Sequence, residues 1–245
     1  MQLRYPHSWA ERCPAFSQGV FFVPPHYFEH HASLFPGWRS LFHRAAPVWI
    51  EYCSGNGSWI IEKAKQHPDK NWVAVEKKFE RLQKIWKQRE GAALNNLFLV
   101  CGEAWTFTHH YVETESVAGI CINFPDPWPK QKHAKHRLIQ DAFVEELVRI
   151  TTVGATLTLV TDDLNYRDQI VQTCIKHHRL ISLHPPLFFA LEHEGYGTSF
   201  FDALWRKKGK TIYYIELKKI GAEGFEPPTH CSQSSCASQT ALCSD

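Results

Sequence analysis

Short apolar runs alternate with amphipathic segments along most of the chain from residue 48 onward. The runs have the length of buried strands, and the segments between them carry apolar residues at the three-to-four residue spacing of a helix. We predict five strands, at 48–53, 71–76, 97–101, 117–124 and 156–161. We predict helices at 59–64, 78–90, about 136–150 and 163–178. Strands that alternate with helices favour a parallel sheet covered on both faces.

The last part of this region follows a different pattern. Two further apolar runs, 180–183 and 211–217, have no clear helical segment between them. We therefore expect them to form an antiparallel pair at the end of a mostly parallel, seven-stranded α/β sheet. Residues 47–220 form the predicted domain, whereas residues 1–46 are rich in aromatic residues, His and Pro without a sustained period and stay an unassigned N-terminal extension.

Composition places the chain among ordinary globular proteins. It has 245 residues, of which 44% are hydrophobic and 21% charged, and no apolar run approaches the roughly 18 residues of a membrane helix. The N-terminus lacks the apolar stretch of a secretory signal. We predict a cytoplasmic protein that does not bind a membrane.

The eight cysteines do not suggest a metal site. Five are widely scattered, several of them within predicted strands, which is typical of buried free thiols. The other three, Cys231, Cys236 and Cys243, lie near the C-terminus, and no Cys-x-x-Cys pair occurs. We predict no metal, with a zinc-binding tail as the alternative.

A glycine turn follows the first predicted strand. Gly55 and Gly57 lie between this strand and a helix, where open α/β sheets bind ligands. Glu76 ends the second predicted strand about 20 residues later, a position from which a carboxylate binds a ribose diol. The alternatives are a turn that only packs the helix on the strand and a solvated glutamate. The third glycine of the dinucleotide fingerprint is replaced by Ile60, which favours S-adenosylmethionine over a dinucleotide.

A proline-rich segment, Phe-Pro-Asp-Pro-Trp-Pro-Lys, follows the fourth predicted strand at residues 124–130. Three prolines at alternate positions stiffen it, and each restricts the preceding residue to extended geometry. Asp126 can accept a hydrogen bond from a guanine edge or contact a cofactor, and Trp128 can stack on a base. The alternative is a proline-rich surface turn.

Basic residues come immediately after this segment. Lys130, Lys132, Lys135 and Arg137 are accompanied by two histidines, and such a cluster suits a phosphate backbone. A solvated helix start is the alternative. The distribution of charge supports the first interpretation, because residues 221–245 contain three acidic residues and no Lys or Arg, so that the formal charge rises from +2 to +5 without them.

These residues resemble bacterial tRNA (guanine-N(7)-)-methyltransferases. The likeness covers about residues 48–219 and depends chiefly on the segment 124–130, with Thr161-Asp162 and Thr198 similar to later motifs of the family. The resemblance implies a Rossmann-like class I methyltransferase fold, S-adenosylmethionine as cofactor and tRNA as partner, with a guanine of the variable loop as target.

The resemblance also implies roles for individual residues. It places cofactor contacts at Glu51, Glu76, Glu103 and Asp126, with Asp126 also the catalytic candidate and Gly55 and Gly57 in the cofactor turn. It places target contacts at Lys130, Asp162 and Thr198 and RNA contacts at Lys132, Lys135 and Arg137. Four positions depart from the family pattern, namely Cys53 for glycine, Glu103 for aspartate, His136 for arginine and Phe201 for glutamate. The last removes a carboxylate, for which Asp202 is a possible substitute.

Two other functions stay open. One is a methyltransferase acting on another RNA base or a small amine, and the other is an inactive RNA-binding paralogue, favoured only by Cys53 and Phe201. A monomer and a homodimer are both compatible with the sequence. Residues 221–245 are expected to be a disordered tail, because their composition is small and polar. Back-translation of Gly-Phe-Glu-Pro at 224–227 can give a sequence similar to an antisense tRNA gene, which points to gene overlap or a misassigned stop codon.

Overall fold

The computed structural model describes residues 2–6, 13–24 and 35–221. Within these ranges, nine strands form one sheet. Their bounds are β1 (Ala15–Ser17), β2 (Val20–Val23), β3 (Val48–Tyr52), β4 (Asn71–Glu76), β5 (Leu97–Gly102), β6 (Val117–Asn123), β7 (Thr151–Thr161), β8 (Leu180–Ser182) and β9 (Tyr213–Lys219). The spatial order is β1-β2-β5-β4-β3-β6-β7-β9-β8.

Helices fill the connections between the strands. Their bounds are α1 (Trp38–Phe42), α2 (Ser58–Gln66), α3 (Phe79–Gly91), α4 (Ala104–Tyr111), α5 (Asp141–Ile150), α6 (Leu164–Ile175) and α7 (Phe200–Lys207). A 3₁₀ helix, Gln131–His136, follows β6. No helix in the described ranges is long and apolar enough to cross a membrane.

The sheet is mostly parallel, as predicted. The strands from β2 to β7 pair in parallel, and β9 pairs antiparallel with both β7 and β8, which confirms the predicted final pair. The predicted count of seven strands is wrong. The segment left unassigned adds β1 and β2, and all four residues of β2 are buried because this strand pairs with β5 and is not an exposed edge.

The helices differ from the prediction in several places. α1, α4 and α7 were not predicted, and none is longer than eight residues, which leaves little room for a helical period to show. α7 begins after Ser199, whose hydroxyl accepts a hydrogen bond from the amide of Asp202 as an N-cap. The helix expected from about residue 136 begins at Asp141. The chain before it forms the 3₁₀ helix, which ends at His136, and Arg137 is extended.

The core lies on both faces of the sheet. Side chains alternate along each strand, so that Val73 and Val75 of β4 join one buried cluster, and Trp72 and Ala74 join the other. Burial on both faces explains why the central strands are almost continuously apolar. The predicted disordered tail, apart from Gly221, lies outside the described residues.

The place of β2 in the sheet can be tested with Phe21→Ala. Phe21 is 2% exposed, and its ring lies 4.9 Å from that of Tyr111. Truncation should lower the free energy of unfolding by about 3–5 kcal/mol, as for other buried phenylalanines. Urea unfolding of the full chain measures the change. Leu164→Ala, at a side chain 52% exposed, is the control and should stay within about 0.5 kcal/mol of the wild type; equal values for the two variants would contradict the burial of β2.

Candidate functional site

A cleft of about 620 Å³ opens at the carboxyl ends of the central strands. Its walls come from the segments that follow β3, β4, β5 and β6, which are neighbours in the sheet. The order of the strands reverses between β3 and β6, and open α/β sheets bind ligands at such a point. The volume lies within the usual range for small-molecule sites.

The glycine turn after β3 lies beside this cleft, and Gly55 lines a smaller adjoining cavity. The backbone N–H of Gly55 donates to Glu76 Oε2 at 2.8 Å, which joins the ends of β3 and β4. Gly57 has a different role, because a Cβ atom there would lie 2.8 Å from Ile85 Cγ1. At Gly57 the structure therefore supports the alternative that glycine allows α2 to pack against α3. Cys53, which takes the place of the family glycine, has a φ of 61°, a left-handed conformation that favours glycine.

Glu76 is held firmly at the edge of the cleft. Its Oε1 accepts from the backbone N–H of Lys78 at 2.8 Å, and its Oε2 accepts from Gly55. Burial raises the pKa of this carboxyl above its ordinary value. Each oxygen keeps a lone pair for a further donor, which suits the hydroxyl groups of a ribose.

Glu51 lies deeper than Glu76, on β3. Its side chain is 1% exposed, and Oε1 accepts from the Asn123 amide at 2.6 Å. Oε2 is buried and has no hydrogen-bond partner in the described structure. A narrow cavity reaches this carboxylate, and Cys53 and Phe201 line both that cavity and the larger cleft. Burial raises the pKa of Glu51 to about 7. A cation beside Oε2 would stabilise the charged carboxylate and supply the partner that Oε2 lacks.

Glu103 and the exposed Trp105 form the wall beyond β5. Glu103 precedes α4 and its Oε2 accepts from the Thr106 hydroxyl at 3.2 Å. Trp105 lines the cleft and stacks on His109 with ring centroids 4.6 Å apart. Sequence reasoning missed Trp105 because it missed α4.

The proline-rich segment forms the opposite wall. Asp126 is exposed, and its Oδ2 lies 3.8 Å from Lys77 Nζ. The prediction that every residue before a proline is extended is wrong for two of the three, since Phe124 has a φ of 48° and Trp128 a φ of 43°. Phe124 is held there by its N–H bond to the Val160 carbonyl at 2.9 Å. Strained backbone of this kind persists where the surroundings fix it and is frequent at functional sites.

The basic cluster divides into two parts. Lys130, Lys132 and Lys135 are exposed, whereas Arg137 is buried. Arg137 Nε donates to the Pro127 carbonyl at 2.7 Å, and its Nη1 donates to Gln169 Oε1 at 2.6 Å. Its position therefore differs from the one expected for a phosphate ligand. Arg137 fixes the proline-rich segment to α6 and lines the inner cleft.

Asp162 and Thr198, expected to contact the target, lie in different surroundings. Asp162 lines the cleft and pairs with Lys210. Thr198 is exposed and does not line the cleft, although its segment leads into α7, where Phe201 does. The structure thus brings Glu76, Glu103, Asp126 and Asp162 into one cleft, places Glu51 and Gly55 in the adjoining cavity, and leaves Gly57, Lys130 and Thr198 outside both.

Phe201 and Asp202 point in different directions. The Phe201 ring lies 6.1 Å from the Phe124 ring and 5.7 Å from the Arg81 guanidinium, so it forms an apolar wall where the family pattern has a carboxylate. Asp202 is 3% exposed and accepts from the Tyr214 hydroxyl at 2.8 Å and from Arg206 Nε at 2.9 Å. Asp202 does not substitute for the missing carboxylate, because its oxygens face these partners.

Several lining residues carried no sequence signal of their own. Lys77, Lys78 and Arg81 are ordinary helix-start residues in sequence, and Trp205 and Lys210 belong to a stretch that reads as a charged turn. They line the cleft only because of where α3 and α7 lie in the fold. The described residues contain no group of three or more His, Cys, Asp or Glu side chains placed to hold a metal ion.

Comparisons with known proteins bear on the family and the fold of this chain. A family described as "Putative methyltransferase" matches residues 45–215. A tRNA (guanine-N(7)-)-methyltransferase of Chlamydia felis is 44% identical over 89% of this chain and 97% of its own length. One of Chlamydia muridarum is 43% identical with the same coverage. Among solved structures, an antibiotic-related methyltransferase superposes with a TM-score of 0.53 at 13% identity, over 79% of this chain and 99% of its own, which supports the fold.

The buried carboxyl of Glu51 predicts a pH dependence of stability. The unfolded chain releases this proton near the ordinary glutamate pKa of 4.5, whereas the folded chain retains it to about pH 7. The unfolded state therefore binds fewer protons between these values, and the free energy of unfolding falls as the pH rises through this window and stays lower above it.

Glu51→Gln should remove that contribution. The variant should match the wild type near pH 4.5 and exceed its free energy of unfolding by on the order of 2–3 kcal/mol above pH 7. Urea unfolding at several pH values, without added ligand, measures the difference. Parallel curves for the two proteins would show that folding does not raise the pKa of Glu51.

Proposed function

Because the chain belongs to the tRNA (guanine-N(7)-)-methyltransferase family, we propose that it transfers a methyl group from S-adenosylmethionine to N7 of a guanine in tRNA. The observation that carries the proposal is the cleft at the strand ends, a space of small-molecule size that both Glu76 and Asp126 line. The target is a guanine of the variable loop, by likeness to the family motifs.

The residues of the cleft fit S-adenosylmethionine. This cofactor supplies an electrophilic methyl group on a sulfonium. Glu76, held by two backbone N–H groups, would bind the ribose hydroxyls, and Glu103 and Trp105 would lie beside the adenine. Glu51, whose Oε2 is buried without a partner, would bind the amino group, because a buried carboxylate is stabilised by an opposite charge.

Methyl transfer to guanine N7 requires positioning of the reactants and stabilisation of charge. Guanine N7 carries a lone pair and no proton, so no general base is needed to expose it, and the rate depends on holding N7 in line with the methyl group. Methylation leaves positive charge on the purine, which the Asp126 carboxylate can stabilise. Trp128, 37% exposed at the cleft, offers a face on which a base can stack.

Positive charge beside the cleft suits the tRNA backbone. Lys132 and Lys135 are exposed on the 3₁₀ helix that follows the proline-rich segment, and Lys130 directly precedes it. Cations in this position attract phosphates and orient the RNA without reading its sequence. Arg137 would contribute by fixing Pro127, to whose carbonyl it donates.

Asp126→Ala and Asp126→Asn test the catalytic proposal. We expect methyl transfer to fall about 100-fold or more, with unchanged thermal unfolding because Asp126 is exposed and its ion pair with Lys77 is long. The measurement is methyl incorporation into unmodified tRNA, with the methylated position mapped. Asp168→Ala, at an exposed carboxylate on α6, is the control; turnover of either Asp126 variant at the wild-type rate would refute the role.

Lys132→Ala combined with Lys135→Ala tests the RNA surface. Loss of two phosphate contacts should lower the slope of log Kd against log salt by between about 1 and 2, with little change in kcat at saturating tRNA. The control is Lys176→Ala with Lys218→Ala. Both lysines are exposed; Lys176 follows the end of α6, and Lys218 pairs with Thr156 of β7, away from the carboxyl ends of the parallel strands. An identical salt slope in the two double variants would place the tRNA on another surface.

A further inference from the structure

Tyr196 lies at the end of a buried chain of hydrogen bonds that leads to Glu51. The residue is 3% exposed, and it belongs to the segment between β8 and α7, far from Glu51 in sequence. Its hydroxyl donates to Asn123 Oδ1, and Asn123 Nδ2 donates to Glu51 Oε1 at 2.6 Å. Three side chains from three separate parts of the chain are thereby aligned.

The chemistry of Tyr196, Asn123 and Glu51 determines which group donates in each of these hydrogen bonds. An ionised carboxylate only accepts hydrogen bonds, so Asn123 must turn its NH₂ group toward Glu51. The amide oxygen then faces Tyr196, whose O–H supplies the donor. The phenol therefore selects the amide orientation that stabilises the charged form of Glu51.

The backbone around Tyr196 is fixed to α2. Trp59 Nε1 donates to the Tyr196 carbonyl at 2.8 Å, Lys63 Nζ donates to the Gly195 carbonyl at 2.5 Å, and Ser58 Oγ accepts from the Phe200 amide at 2.9 Å. The phenol is held in place by this support and by the Trp59 ring, whose centroid lies 5.4 Å away. Its hydroxyl is thus directed at Asn123 before any ligand enters.

Only one oxygen of Glu51 takes part in this series of hydrogen bonds. Oε1 receives the Asn123 amide, whereas Oε2 is buried and unpartnered among the described residues. The cavity beside it is also lined by Asn123, Gly55 and Phe201. A ligand cation at Oε2 would complete the coordination of the carboxylate.

We propose that Tyr196 is a positioning residue for cofactor binding, which orients the Asn123 amide so that Glu51 presents Oε2 as a charged acceptor to the amino group of S-adenosylmethionine. This inference rests on the proposed function, because it takes that cofactor as the ligand of Glu51. The Tyr196 hydroxyl also links the segment that carries Thr198 to the cofactor pocket through its bond to Asn123.

The orientation of the Asn123 amide can be measured through the pKa of Glu51, because few charged groups lie near this carboxyl. Glu76 of β4 is the acidic neighbour, and its charge opposes ionisation of Glu51. The thiols of Cys53 and Cys121 and the phenol of Tyr196 also interact with Glu51, but burial raises the pKa of each above its ordinary value, so they are neutral at pH 7. Without the Tyr196 hydroxyl the Asn123 amide is free to reverse, and the pKa of Glu51 should rise.

The test uses Tyr196→Phe in the full chain, with S-adenosylhomocysteine as a stable probe that keeps the amino group. Calorimetry should show Kd weakened roughly tenfold at pH 7, and the pH midpoint of binding should move upward by about one unit. In the protein without ligand, the fall in the free energy of unfolding should extend to correspondingly higher pH. Tyr52→Phe is the matched control, because its buried phenol bonds Thr108 at 2.6 Å on the opposite face of the sheet, and it should leave Kd and the midpoint unchanged.

The outcomes separate the two proposals. Wild-type protein that fails to bind the probe or to methylate tRNA would overturn the proposed function, whereas wild-type binding together with an unchanged Kd and midpoint in Tyr196→Phe would overturn this inference alone. Weaker binding with an unchanged midpoint would also overturn it, since loss of packing would explain that result. If Tyr196→Phe does not fold, Asn123→Asp keeps an acceptor for Tyr196 but offers no N–H to Glu51, so it should lose probe affinity as well; full affinity would count against the proposal.

Discussion

Parallel pairing of β3 with β4 on one side and β6 on the other is the constraint on which the site depends. Strands that run in the same direction end at the same edge, so the residues that follow them are gathered there whatever their distance in sequence. Glu51 and Glu76 come from the ends of two such strands, and Asp126 follows the third. The apolar residues of the strands supply the stability, while the buried carboxylates of Glu51 and Glu76 and the exposed carboxylate of Asp126 lie where the strands end.

Much of the fold was predictable because the central strands are buried on both faces. Such strands are continuously apolar, and the helices between them show a clear period, so alternation alone indicated a parallel sheet. β1, β2 and α7 were missed because they are short and lie where aromatic or charged residues interrupt the pattern. Their structure depends on tertiary contacts, as in the pairing of Phe22 with Cys101 across β2 and β5, which local sequence does not encode.

The part of the site that depends on the spacing of residues along the sequence was predictable. Glu76 was identified from its distance to the glycine turn, and the structure places it beside Gly55. The burial of Arg137 was not predictable, because an arginine among lysines has the same sequence signature whether it faces solvent or a carbonyl. The link from Tyr196 to Asn123 spans 73 positions and has no motif. It exists only because the segment before α7 folds back over α2.

The attachment of Pro127 to Arg137 has a consequence for the way the enzyme meets its substrate. A wall that is tied to α6 before binding, with prolines on either side of Asp126, is already in its working shape and loses little conformational entropy when a ligand arrives. With tRNA as the proposed substrate, the adjustment would then fall on the RNA, whose guanine would have to leave its stacked neighbours to reach this wall. Selection among tRNAs would accordingly reflect how easily each one releases that nucleotide, so that recognition becomes a property of RNA flexibility as much as of protein contacts.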